Sequence, residues 1–216
     1  MNGRLLIHNV RHWRSGEPFE IAIEGGRIVA AGAPGAAKNG ADRIVDGGGA
    51  VLAPGLVDLH VHLREPGQGT KETIETGTRA AAAGGFTAVA CMPNTHPVVD
   101  NPAWVSWIRM RAQEGAHCRV YPIAAVTVGQ KGEQLAELAA LAESGAVAFS
   151  DDGSPVMSAE VMRRALEYAK PLGLPIVCHE EDPHPARAGS HERRIGVGPA
   201  RRARHSARRR GGDGAP

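Results

Sequence analysis

The stretch GLVDLHVHLREPG, residues 55–67, decides how the rest of the chain is read. Leu56, Val57, Leu59, Val61 and Leu63 form a branched apolar run between Pro54-Gly55 and Pro66-Gly67, the pattern of a short buried strand. Side chains at i and i+2 of a strand share a face, so His60 and His62 are expected to project together at its end. Two neutral imidazoles on one rigid strand suit a Zn²⁺-type site. The plainer reading is two polar residues on a half-exposed strand. An Asp-x-His-x-His face inside an apolar run favours the first, because buried polar groups require partners.

Outward from this strand the chain alternates. Towards the N-terminus, runs at 4–10, 19–24, 27–31, 43–46 and 51–52 are short and β-like, separated by Gly-rich turns. Towards the C-terminus, Thr70 is placed to cap a helix over about 71–83, with Glu72 and Glu75 near its positive end. A second strand follows at 86–92, then a helix that Asn101 caps and Pro102 starts, running to about Glu114. A third strand is expected at 118–126, a helix at about 130–143, and a short strand at 147–149. Ser158 caps a helix to about Leu172 that Gly173 closes, and 174–179 is the last strand. The alternation predicts an α/β fold: a partial TIM-like (β/α) barrel of about five strands, preceded by a small β-domain. The expected divisions are 1–54 for the β-sandwich portion, 55–183 for the N-terminal half of the barrel, and 184–216 for a tail.

The tail differs in composition. Its nine arginines face only Glu192 and Asp213, so the whole chain's +2 divides into +7 beyond residue 183 and −5 before it. It contains no Leu, Lys, Phe, Tyr or Trp and shows no helical or strand period. An Arg-rich arm for nucleic acid is one reading. Without interleaved aromatics or a partner domain, no nucleic-acid partner is expected. The preferred expectation is a shifted reading frame after about residue 183. Elsewhere no run of about 18 apolar residues marks a membrane span. Cys91, Cys118 and Cys178 are widely spaced, which fits reduced thiols and a cytoplasmic setting better than a disulfide set.

Residues 57–67 resemble the signature of dihydroorotases, in the amidohydrolase superfamily of metal-dependent barrel hydrolases. Lys71–Gly77, Met92-Pro-Asn-Thr95 and Phe149-Ser-Asp-Asp-Gly153 agree with that family in order and spacing, and the resemblance runs from about residue 2 to about residue 183. It implies that His60 and His62 hold one Zn²⁺, that His179 helps to hold a second, and that Asp152 bridges the two. An aspartate there points to the dihydroorotase class without a carboxylated lysine. His62, Arg64 and Asn94 are the implied substrate contacts, with Arg64 on the substrate carboxylate. The implied reaction is the reversible closure of N-carbamoyl-L-aspartate to (S)-dihydroorotate in pyrimidine (UMP) biosynthesis.

A sixth-strand His ligand and an eighth-strand acid/base Asp belong to the family pattern but have no counterpart after residue 183. The 216-residue chain is therefore expected to be a truncated, inactive form with no catalytic acid/base of its own. Allantoinase or hydantoinase chemistry is the alternative within the class. A non-catalytic homologue partnering aspartate carbamoyltransferase is the alternative outside it, and a homo-oligomer is compatible with either.

Overall fold

The structure is a computed structural model that describes residues 3–37 and 40–181. The expectation of an irregular Arg-rich tail, and the family ligands sought there, lie outside the described residues. Residues through His179 form one compact unit.

The N-terminal sheet contains β1 (Leu5–His12), β2 (Pro18–Glu24), β3 (Arg27–Gly32), β4 (Arg43–Asp46) and β5 (Val51–Leu52). Its order is β3-β2-β1-β4, with β5 also on β1; the β1–β2 and β2–β3 pairs are antiparallel, whereas β4 and β5 run parallel to β1. Asn9, at φ 53°, sits where the β1–β2 register shifts, one of the few side chains that tolerate the left-handed region. Leu6, Ala22 and Ala37 form the small core. Beside it the buried Glu20 carboxylate accepts the N–H groups of Gly35 (2.8 Å) and Ala37 (2.7 Å), so that it closes a loop instead of standing unpaired.

The second sheet is parallel. Its strands are β6 (Leu56–Val61), β7 (Phe86–Cys91), β8 (Arg119–Ala124) and β9 (Ala148–Phe149), in the order β6-β7-β8-β9. The helices between and after them are α1 (Ile74–Ala83), α2 (Pro102–Gly115), α3 (Leu138–Glu143) and α4 (Ala159–Leu172). This is the partial parallel half of an α/β barrel, with a separate small sheet preceding it. Pro122 through Thr127 are buried without a break, as a parallel strand covered on both faces requires. The main core runs from Leu63 and Ile74 through Val89, Val105 and Ile108 to Leu141 and Phe149.

Four expectations need correction. The strand expected to be buried, β6, leaves Leu56, Val57 and Leu59 exposed, because it has a paired neighbour on only one side among the described residues. Helix α1 starts later than expected, because Thr73 caps it and not Thr70; Thr73 and Thr76 form the reciprocal capping box. The helix expected over 130–143 is confined to Leu138–Glu143. Before it come a single 3-10 turn at Val128–Gln130 and an antiparallel bridge between Thr127 and Leu135, which consume the residues that carried the helical period. The fifth strand is one parallel bridge, Phe149 to Ile176, flanked by Phe149 N–H to Pro175 O (3.0 Å) and Val177 N–H to Phe149 O (2.8 Å). Pro175 has no N–H to extend the ladder. No helix among the described residues is long and apolar enough to cross a membrane.

Candidate metal centre

His60 lies within β6 and His62 one residue beyond it. They do not reach one another by simple alternation, because the β6–β7 register shifts between Asp58 and Val61. Three steps along β6 match two along β7, a bulge of the kind that re-aims side chains near functional sites. Asp58 Oδ1 accepts the His60 N–H at 3.0 Å and helps to hold that turn. The two rings end 5.2 Å apart, edge to face.

Asp152 faces them from the loop after β9. It is only 8% exposed. His60 Nε2 lies 3.3 Å from Asp152 Oδ1, His62 Nε2 lies 3.7 Å from Oδ2, and His179 Nδ1 lies 3.7 Å from Oδ1. Asn94, after β7, donates from Nδ2 to Asp152 Oδ2 at 2.8 Å and sets its Oδ1 3.0 Å from His62 Nδ1. Five of the six residues singled out in the sequence thus share one polar cluster at the C-terminal ends of the strands. Arg64, the sixth, is half-buried in the loop beyond His62, at φ 59°, with its carbonyl accepting the Gln68 N–H at 2.9 Å.

That loop is pinned at two points. Glu65 Oε2 accepts the Ile74 N–H at 2.7 Å, filling one of the donors at the start of α1. Gly67, at φ 82°, lies so near the chain after Asn94 that a Cβ there would stand 1.5 Å from His96 O. The Arg-Glu-Pro-Gly stretch therefore has packing reasons for its Glu and its Gly, independent of any ligand.

Sequence reasoning overlooked the groups that hold Asp152 in place. Asp151, 3% exposed, turns the other way and accepts the N–H groups of Val126 (2.8 Å) and Thr127 (3.1 Å) and the Thr127 hydroxyl. Burial raises its carboxyl above the ordinary range, against the lowering effect of those hydrogen bonds. Gln130 Nε2 donates to the Asp152 carbonyl at 3.3 Å. Only the doubled aspartate signalled any of this, since Thr127 and Gln130 belong to no recognisable motif.

The donor set fits a divalent cation. His60, His62 and Asp152 each offer an atom within 4.8 Å of the others. Ligands about 2.0–2.1 Å from a tetrahedral ion stand roughly 3.3–3.5 Å apart. The imidazole–carboxylate distances of 3.3, 3.7 and 3.7 Å are close to that spacing. Imidazole nitrogens with a carboxylate suit zinc and its neighbours. A groove of about 840 Å³ lined by Phe86, Arg119 and Tyr121 lies at the strands' N-terminal ends and includes none of these groups. Barrel chemistry belongs to the opposite end.

Residues 49–191 match the family model described as dihydro-orotase-like. The dihydroorotase of Syntrophotalea carbinolica is 52% identical over 183 residues, which are 84% of this chain and 41% of that protein. The dihydroorotase of Pelotomaculum thermopropionicum is 54% identical over 166 residues, 77% of this chain and 38% of that one. The chain thus spans about two-fifths of the length of the curated relatives it matches. Among solved structures, an L-hydantoinase (dihydropyrimidinase) from Arthrobacter aurescens aligns with a TM-score of 0.70 at 21% identity, covering 83% of this chain and 41% of its own. A dihydroorotase crystal structure aligns with a TM-score of 0.53 at 19% identity, covering 81% and 50%. At such identities the structural likeness is one of fold.

Proposed function

The chain belongs to the dihydro-orotase-like family, and on that premise we propose that its site serves the reversible, zinc-dependent interconversion of (S)-dihydroorotate and N-carbamoyl-L-aspartate in pyrimidine biosynthesis. One observation carries the reading: the nearly buried Asp152 carboxylate stands 3.3–3.7 Å from the imidazoles of His60, His62 and His179. A buried carboxylate ringed by imidazoles is costly without a cation and favourable with one.

In this reading His60, His62, Asp152 and His179 are the residues that would hold the zinc. A bound divalent metal supplies Lewis acidity at a carbonyl oxygen and makes water acidic enough to attack near neutral pH. The planar guanidinium of Arg64 takes the substrate carboxylate, and Asn94 shares that contact. Hydrolysis adds water to a ring carbonyl carbon and breaks its C–N bond, and the leaving nitrogen takes up a proton. Ring closure reverses each step. The family pattern assigns that proton transfer to an eighth-strand Asp, a role that no residue among those described fills.

The test is a chimera in which residues from 184 onward give way to the matching C-terminal segment of the Syntrophotalea carbinolica protein. Zinc-dependent loss of dihydroorotate absorbance is expected from the chimera and none from the 216-residue chain. Preference of the chimera for hydantoin or allantoin over dihydroorotate would overturn the substrate assignment. Equal turnover by the 216-residue chain would overturn its inactivity.

A further inference from the structure

The amide of Asn94 connects two of the proposed metal ligands, and its polarity decides the state of one of them. An ionised carboxylate only accepts hydrogen bonds, so the NH₂ end of the amide must face Asp152, where Nδ2 lies 2.8 Å from Oδ2. The amide oxygen is then left for His62 Nδ1, at 3.0 Å, and it too only accepts. His62 Nδ1 must therefore carry the ring proton. The lone pair resides on Nε2, the atom directed at Asp152 and available to a metal.

We propose that Asn94 is a positioning residue of the metal centre: it selects the ligating tautomer of His62 and orients the Asp152 carboxylate before substrate arrives. The inference rests on the metal reading above and goes beyond the substrate contact given to Asn94 there. The turn that carries Asn94 is built for a fixed placement. Thr95 N–H donates to Pro93 O (2.8 Å), the Thr95 hydroxyl donates to Pro97 O (2.7 Å), and Met92 N–H ties the end of β7 to Val61 O (2.9 Å). A ligand oriented from a rigid element loses little by binding, which is how outer-shell groups raise metal affinity. The second amide N–H is what Asn94 retains for a substrate carboxylate.

Two readouts test this in the 216-residue chain, neither of which needs turnover. The first is Co²⁺ affinity without substrate. The Asn94→Ala chain is expected to bind roughly 10–100-fold more weakly than the parent, the usual effect of losing an outer-shell partner. The second is the ¹⁵N shift pattern of the metal-free His62 ring, assigned against His62→Ala. The parent should show the proton on Nδ1, and Asn94→Ala a mixture of tautomers. Asn94→Asp keeps an acceptor for His62 and should restore the Nδ1–H pattern. If Asn94→Ala binds Co²⁺ as tightly as the parent and leaves His62 in the Nδ1–H form, the proposal is overturned. A parent that binds no Co²⁺ defeats the metal reading, and the tautomer comparison then still decides whether Asn94 controls His62.

Discussion

Thr127 holds Asp151 twice, through its backbone N–H at 3.1 Å and through its hydroxyl, while the next residue in the chain, Asp152, faces the imidazoles. Asp151→Ala would leave the N–H groups of Val126 and Thr127 without an acceptor. We expect it to cost about 2–4 kcal/mol in urea unfolding, and Asp151→Asn about 1 kcal/mol, since an amide oxygen can still accept. Near-equal losses for the two variants would contradict the hydrogen-bonding role.

The same residue fixes a pH dependence. Burial raises the folded Asp151 carboxyl above its ordinary value of 3.8. Between those two values the folded chain binds more protons than the unfolded chain, so the contribution of this group to stability falls as pH rises. Above the raised value the contribution is constant. The difference in unfolding free energy between parent and Asp151→Asn should change across that acidic window and flatten beyond it. A flat difference throughout would show that the folded environment does not favour the protonated acid.

Gly67 and Gly85 are matched controls for one another. Both have positive φ, 82° and 85°, yet a Cβ at Gly67 meets His96 O at 1.5 Å whereas one at Gly85 meets nothing within 4 Å. Gly85→Ala should cost about 1–2 kcal/mol for its backbone conformation alone. Gly67→Ala should cost about 3 kcal/mol or more, because two loops must separate, and should weaken Co²⁺ binding as Asn94 moves. Thermal unfolding and metal titration of the pair check both.

β6 is an edge of its sheet among the described residues and exposes Val57 (56%) and Leu59 (71%). Apolar edges of this kind pair with other chains. Replacing both with Lys is expected to raise the soluble, monomeric fraction of the 216-residue chain at least several-fold, measured by size-exclusion chromatography. An unchanged elution profile would place the association surface elsewhere.

The cysteines should separate by alkylation. Cys91 is buried and its thiol is pushed up to about 12, whereas Cys178 is exposed. The thiolate is the reacting form. Iodoacetamide near neutral pH should label Cys178 in the folded chain and reach Cys91 only after denaturation, as peptide mass spectrometry would show. Early labelling of Cys91 would mean that the β7 core opens readily.

What could be read from the sequence was local. Helices α2 and α4 start and stop where their own residues dictate: Asn101 accepts the Ala103 N–H, Ser158 accepts the Val161 N–H, and Gly173 closes α4 in the left-handed conformation. The chemistry-bearing residues were legible too, since strand ends in a β/α alternation lie at one face and the residue types there are unusual for a core. Helix α3 was not legible. Its expected first turns are diverted by the Thr127–Leu135 bridge and by the Asp100 carboxylate accepting the Gly129 N–H at 2.7 Å, partners that a helical period cannot foresee.

By itself the sequence determined which side chains would be available at the strand ends and in what order. Tertiary structure decided their duties. Both aspartates of the Asp151-Asp152 pair have the same intrinsic chemistry; Asp151 is drawn into the Val126–Thr127 backbone and Asp152 is left for the histidines. The bulge between Asp58 and Val61 likewise re-aims His60 through its register against β7. Each choice is made by hydrogen bonds between residues tens of positions apart, whose geometry exists only once the strands have paired.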